Sequence, residues 1–148
     1  NVNAVVELCH KFYPVLSGKG KSYILNIASS TAYQAIPLMS LYAASKVFVL
    51  NFSRGLHHEW KKKGISVTAV SPGATDTNFN DRANLQEKAR KAAQKVTMTP
   101  EEVALMSVKG MFAEKPEVIT GFINKLGAAL AWVAPKKISE KVAMGIYE

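Results

Sequence analysis

The stretch SLYAASKVFVLNFSRGLHHEWKKKGISVTAVSPG, running from Ser40 to Gly73, contains a change of hydrophobic period that decides the fold. Between Ser40 and Lys63, the residues Leu41, Ala44, Phe48, Phe52, Leu56 and Trp60 recur three or four positions apart, the spacing that lines one face of an α-helix. Gly64 follows as a C-terminal cap, because a residue without Cβ enters the left-handed region at no steric cost. The period then shortens. Ile65-Ser66-Val67-Thr68-Ala69-Val70 is a β-branched run of strand length that ends in Ser71-Pro72-Gly73. Upstream, after the turn-like SGKGK, Tyr23-Ile24-Leu25-Asn26-Ile27 is a second short apolar run and reads as an interior parallel strand. Strand, helix and strand with tight links make one right-handed crossover of a parallel sheet, so the fold class is α/β.

Working outward, Val2, Val5, Val6, Leu8, Cys9 and Phe12 recur at mixed spacings before Pro14, which predicts a mostly buried helix ending near Ser17-Gly18. From Asp76 to Gln94 the chain is polar and has no sustained period. An irregular segment of this length suits a mobile substrate loop, with Phe79 and Leu85 as apolar contacts. At Thr99-Pro100-Glu101-Glu102 a helix starts: Thr99 is the N-cap, Pro100 the first helical residue and Glu102 the third member of a capping box. It should run to about Phe112. Glu117-Val118-Ile119-Thr120 suits a last short strand, and the remainder suits helix broken at Pro135.

Composition bounds the function. The 148 residues suit one domain, and 48% apolar with 20% charged residues is ordinary globular usage. Cys9 is the single cysteine, so no internal disulfide forms, and no Cys/His spacing suits a metal; a reducing, cytoplasmic setting is expected. The longest apolar stretch, Ile119 to Pro135, is interrupted by Asn124 and Lys125 and falls short of the roughly 20 residues that span a bilayer. The opening NVNAVVEL has no initiating Met, basic region or cleavage site, so it reads as the interior of a longer chain without a targeting signal. The formal charge of +8 favours anionic partners. Its densest run, Lys61-Lys62-Lys63, closes a helix where cations oppose the negative end of the dipole. The other basic residues are dispersed and lack an aromatic platform, so neither nucleic acid nor membrane is an expected partner.

Chemistry centres on Tyr42-Ala43-Ala44-Ser45-Lys46, which puts a phenol and an ammonium on one helical face. A phenol has a pKa of about 10, and a fixed cation nearby favours its ionised form, fitting it to exchange a proton with a hydroxyl or carbonyl. The bare pair arises easily by chance. Its context is more specific: Ser29 ends the first strand thirteen residues before Tyr42, and Pro72-Gly73, with Thr75 and Thr77 beyond, follows the next. Ligands of open parallel sheets bind outside the carboxyl ends of the strands, where these residues would sit. His10, His57 and His58 read as surface or interface residues, since adjacent helical side chains diverge. Cys9, on an apolar helix without a cationic neighbour in sequence, reads as a buried inert thiol.

Through NIAS at Asn26 to Ser29, YAASK at Tyr42 to Lys46 and SPGATDT at Ser71 to Thr77, the sequence resembles the short-chain dehydrogenase/reductase family. Within it, the bacterial hydroxysteroid and 3-oxoacyl reductase branches are most similar. The likeness is dense from Asn1 to about Thr77. It implies the C-terminal half of a Rossmann-like doubly wound sheet and an oxidoreductase that moves a hydride between a nicotinamide cofactor and a secondary alcohol or ketone. Tyr42 would be the general acid/base, and Lys46 would lower its pKa and hold the nicotinamide ribose. Ser29 would hydrogen-bond the reacting oxygen. The opening helix is similar to one that carries a further catalytic Asn with a small residue three positions on, which makes the Asn Asn1 and the small residue Ala4, with Asn3 as the less favoured register. Asn1 would hold a water of a proton relay. Pro72, Gly73, Thr75 and Thr77 would contact the cofactor.

The family's Gly-rich phosphate-binding turn has no counterpart among the nine scattered glycines. The resemblance therefore implies a catalytic half over 1–148 without the cofactor-binding half, with NAD or NADP as cofactor. As an isolated product the chain should be inactive and poorly stable, its first strand lacking neighbours. Where many members close with Asp-Gly-Gly, this chain has Gly121 to Gly127, which favours a homodimer through the helices holding Asn1 and Tyr42 over a tetramer. Two other readings are a non-catalytic cofactor-sensing or scaffold protein of the same fold and a sugar-nucleotide epimerase, the latter lacking its larger substrate domain here.

Overall fold

The computed structural model describes residues 1–77, 91, 94 and 96–147. The expected substrate loop, with Phe79 and Leu85, lies from Asn78 onward almost wholly outside the described residues. In chain order the elements are α1 (Asn3–Leu16), β1 (Ser22–Ile27), α2 (Ser40–Trp60), β2 (Ile65–Ser71), α3 (Pro100–Phe112), β3 (Glu117–Ile119), α4 (Phe122–Val133) and α5 (Lys136–Tyr147). Single 3-10 turns cover Ser30–Tyr33 and Lys61–Lys63. The strands form one parallel sheet in the order β1-β2-β3. Ser22 pairs with Ile65 through to Ile27 with Val70, and Ala69 to Ser71 pair with Glu117 to Ile119.

The crossover read from Ser40 to Gly73 is present. Gly64 sits at φ 77°, where a Cβ would also collide with the Gly20 carbonyl. Its own carbonyl accepts from the Ser22 amide at 2.8 Å and so starts the β1–β2 ladder. The capping box forms: Thr99 Oγ1 accepts from the Glu102 amide at 3.2 Å, and a Glu102 carboxylate oxygen accepts from the Thr99 amide at 3.0 Å.

β2 is buried along its whole length, and its Ile65, Val67 and Ala69 enter two apolar clusters. One cluster joins Cys9, Leu56, Ile65 and Val67, and the other joins Ala28, Ala32, Val49, Leu50 and Ala69. Among the described residues β1 is paired on one side only, by β2, and it is half-buried up to the exposed Ile27, as expected of a first strand lacking its other neighbours in these 148 residues. Two expectations need correction. α1 buries only Cys9, while Leu8, Phe12 and Val15 are exposed, because a single sheet edge covers only one stripe of the helix. His57 is buried rather than superficial, since it falls on the sheet-facing side of α2 and its Nδ1 meets the Val67 carbonyl oxygen at 2.9 Å.

Candidate active site

The sheet register brings the two loop residues together. Beyond the strands, the Ala28 amide donates to the Val70 carbonyl at 2.7 Å and the Ser30 amide to the Pro72 carbonyl at 2.8 Å. Ser29 and Pro72 are therefore neighbours at the carboxyl edge of β1 and β2. Ser29 caps the following 3-10 turn: its buried Oγ accepts from the Thr31 amide at 3.2 Å, which leaves its own O–H able to donate.

α2 brings the ammonium to this edge and carries the phenol one turn before it. Lys46 Nζ donates to the Ile27 carbonyl at 3.0 Å and stands 5.7 Å from the centroid of the Tyr42 ring. Burial lowers the pKa of Lys46, since a half-desolvated ammonium costs more than a solvated one. Tyr42 lines an open cleft with Asn1, Leu38, Met39, Ser40 and Ser45, so the start of α1 and the start of α2 meet there. Leu38, at this lip, holds φ 66°, a left-handed conformation uncommon for a branched residue.

The Pro72–Thr77 segment is pinned from both sides. Thr75 Oγ1 donates to the Gly73 carbonyl at 3.2 Å, and Thr77 Oγ1 reaches the Thr75 carbonyl at 3.5 Å. The Asp76 amide donates to the Met98 carbonyl at 2.9 Å, and the Met98 amide donates to the Ala74 carbonyl at 3.0 Å. Gly73 lies against Asn124, whose side chain a Cβ at position 73 would overlap. Asn124 is itself held by donating to the Thr120 carbonyl at 2.8 Å.

Other contributors carry no sequence signal of their own. Asn26 Nδ2 donates to Ser53 Oγ at 2.9 Å and reaches Cys9 Sγ at 3.6 Å, tying β1 to α1 and α2. Burial pushes the Cys9 thiol up, as suits an inert group. The Tyr33 hydroxyl donates to Glu117, which also pairs with Arg54 at 3.4 Å and so fastens the turn after Ser29 to β3 and α2. Burial, with the Glu117 carboxylate beside it, holds the Tyr33 phenol well above its ordinary value. These pairings join residues far apart in sequence, so only the folded chain reveals them.

The donor set suits the nicotinamide end of a dinucleotide. The Lys46 ammonium spends one hydrogen on Ile27 and keeps two at the mouth of the site. Gly73 keeps the backbone beside it free of a side chain.

A model of the short chain dehydrogenase family matches residues 1–88, more than half of the chain. The chain belongs to that family. A very-long-chain 3-oxoacyl-CoA reductase-B of Danio rerio is 31% identical over 152 residues, covering 99% of this chain and 44% of its own length. A short-chain dehydrogenase of Sphingobium yanoikuyae, solved in complex with NADPH, superposes with a TM-score of 0.70 at 28% identity, covering 94% of this chain and 51% of that one. A structure of a 7beta-hydroxysteroid dehydrogenase gives a TM-score of 0.78 at 21% identity over 94% of this chain and 54% of the other, which shows the shared fold. The chain thus spans about half the length of the relatives it matches. Rossmann-like architecture and the α/β sheet are common to this short-chain dehydrogenase and its structural neighbours. Among the described residues no helix is long and apolar enough to cross a membrane.

Proposed function

We propose that this short-chain dehydrogenase chain is the catalytic half, residues 1–148, of an NAD(P)-dependent oxidoreductase acting on a secondary alcohol or ketone. The observation that carries the reading is the position of Lys46, anchored on the Ile27 carbonyl and facing the Tyr42 ring. Tyr42 delivers a proton to the carbonyl oxygen during reduction and receives it during oxidation. Lys46 favours negative charge on the Tyr42 oxygen and offers its remaining hydrogens to the nicotinamide ribose. Ser29 donates its O–H to the reacting oxygen and so stabilises the charge that develops there. Asn1, at the same cleft as Tyr42, holds a water through which the spent proton is replaced. Pro72, Gly73, Thr75 and Thr77 orient the nicotinamide carboxamide. A reduced dinucleotide bound there supplies the hydride.

The pyrophosphate grip belongs to a Gly-rich half outside these residues, so the 148-residue chain alone binds the cofactor weakly and does not turn over. The exposed Leu8, Phe12 and Phe48 of α1 and α2 suit the interface of a cytoplasmic homodimer. The test is turnover of a ketone panel by the complete protein, followed by loss of reduced-nicotinamide absorbance. Reduction by the parent and its collapse in Tyr42→Phe support the reading; a complete, cofactor-binding protein with no turnover on any carbonyl substrate counts against it.

A further inference from the structure

Ser29 lies between two ties to the same helix. Before it, the Ile27 carbonyl accepts from Lys46 Nζ of α2 at 3.0 Å. After it, the 3-10 turn Ser30–Tyr33 ends on Tyr33, whose hydroxyl donates to Glu117 Oε1 at the start of β3. Glu117 Oε2 in turn pairs with Arg54 Nη1 of α2 at 3.4 Å. Arg54 stands about two helical turns beyond Lys46. The helix that carries Tyr42 and Lys46 therefore holds the Ser29 segment at both ends.

The two ties fix different things. Backbone bonds from the Ala28 amide to Val70 and from the Ser30 amide to Pro72 set the chain against β2 as far as Ser30. The Ser29 hydroxyl is oriented by the turn that follows: its Oγ accepts from the Thr31 amide at 3.2 Å, and the Ser29 carbonyl accepts from the Ala32 amide at 3.0 Å. The far end of that turn is set by Tyr33. Its ring packs on the cluster of Ala28, Ala32, Val49, Leu50 and Ala69. Such packing is non-directional, so the hydrogen bond to Glu117 supplies the direction. That bond is durable, because burial first and the neighbouring carboxylate next hold the Tyr33 phenol well above its ordinary value and keep it a donor. Replacing a buried ionic set by apolar residues is often neutral or stabilising, so stability alone does not account for a charged, directional link at this point.

We infer that the Tyr33–Glu117–Arg54 link is a positioning device, which holds the turn so that the Ser29 O–H is aimed at the reacting oxygen. The inference rests on the catalytic reading of Ser29 given above and adds to it three residues that act through Ser29 rather than on the substrate.

The experiment is steady-state ketone reduction by the complete protein and its Tyr33→Phe, Glu117→Ala, Glu117→Gln, Ser29→Ala and Ser29→Ala/Tyr33→Phe variants, each checked for folding by circular dichroism and melting. Misplacing a reacting group by about 1 Å can cost about 10²-fold in rate, and a turn still pinned at Ser30 moves less, so Tyr33→Phe and Glu117→Ala should each lower kcat about tenfold. KM for the ketone and Kd for the cofactor should stay within about twofold of the parent, as suits an interaction felt only in the transition state. Glu117→Gln keeps a weaker acceptor for Tyr33 and should restore kcat to within about threefold. In the Ser29→Ala background, Tyr33→Phe should cost no further kcat, because the group it positions is gone. Should Tyr33→Phe not fold, Glu117→Ala takes its place in that cycle. A complete protein without turnover, or an unchanged kcat in folded Ser29→Ala, overturns the catalytic reading and the positioning role with it. A loss in Ser29→Ala beside parent-like kcat in Tyr33→Phe and Glu117→Ala overturns the positioning role alone. So do losses that multiply in the double variant, or that bring an equal loss of cofactor affinity, since both mark a general loosening of the fold.

Discussion

Lys46 Nζ donates to the carbonyl of Ile27, the last residue of β1, at 3.0 Å, and the same ammonium stands 5.7 Å from the centre of the Tyr42 ring. The strand end thus fixes the cation, and α2 fixes the phenol one turn away. The ammonium cannot swing aside without giving up its hydrogen bond to the strand end.

For the complete protein, Tyr42→Phe keeps the ring and removes the proton carrier, so folding should survive while kcat falls by about 10² to 10⁴. Lys46→Met should also slow turnover, because negative charge on the Tyr42 oxygen loses its cation and the site loses the Lys46 hydrogens. Steady-state rates across pH check both. A folded, cofactor-binding Tyr42→Phe protein within a few-fold of the parent would contradict the mechanism.

Ser29 combines two roles that one substitution can separate by magnitude. Ser29→Ala removes the acceptor for the Thr31 amide, a cap whose loss costs about 1 kcal/mol. It also removes the donor to the reacting oxygen, for which a loss of about 10² or more in kcat is expected. Chemical denaturation and kinetics on the same sample check the pair. If activity declined only in step with the folded fraction, Ser29 would be a cap and nothing more.

The extent to which this could be read beforehand follows from how local each signal is. Gly64 at a left-handed cap, the Thr99–Glu102 box and the helical spacing from Leu41 to Trp60 are each encoded within a few residues, and each element formed where expected. The NIAS, YAASK and SPG segments were legible for the same reason, and the parallel register then set Ser29 and Pro72 side by side. The burial of His57 was not legible, because it depends on a carbonyl of β2 ten residues away. Nor were the Tyr33–Glu117–Arg54 link and the Gly73–Asn124 approach, which join positions that no spacing rule connects. The exposure of Leu8 and Phe12 differed from the expectation because periodicity reports which residues share a face, not whether another element covers it.

The Tyr33 link gives a pH signature. Its folded-state pKa is raised, first by burial and then by its hydrogen bond to Glu117, against about 10 when unfolded. Above that value the native state holds a proton that the unfolded state has released, so stability falls as pH rises through the folded pKa. Below about pH 10 the contribution is whole. Tyr33→Phe should therefore cost about 1 kcal/mol near neutrality, less than the roughly 1.5 to 3 kcal/mol of a bond to a charged acceptor because the group is only half-buried. It should also flatten the alkaline loss. Urea midpoints measured at a series of pH values test this, and parallel curves for parent and variant would be evidence against it.

The approach of Gly73 to Asn124 supplies a test in which two defects should partly cancel. Gly73→Ala places a methyl group into the Asn124 side chain, and overpacking of this kind costs about 1 to 3 kcal/mol. Asn124→Ala alone forfeits its hydrogen bond to the Thr120 carbonyl, worth about 1 kcal/mol. In the double variant the methyl has room, so the overlap term disappears and only the lost bond remains. The combined destabilisation should accordingly be smaller than the sum of the singles by that overlap term, about 1 to 3 kcal/mol, a coupling expected only between residues in contact. Denaturation of the four proteins measures it directly. Because Gly73 also borders the proposed nicotinamide site, cofactor affinity of the complete protein should fall with Gly73→Ala and recover in part in the double variant. Additive stabilities would mean that the two residues do not press on each other, and that the glycine is required for some reason other than the side chain it faces.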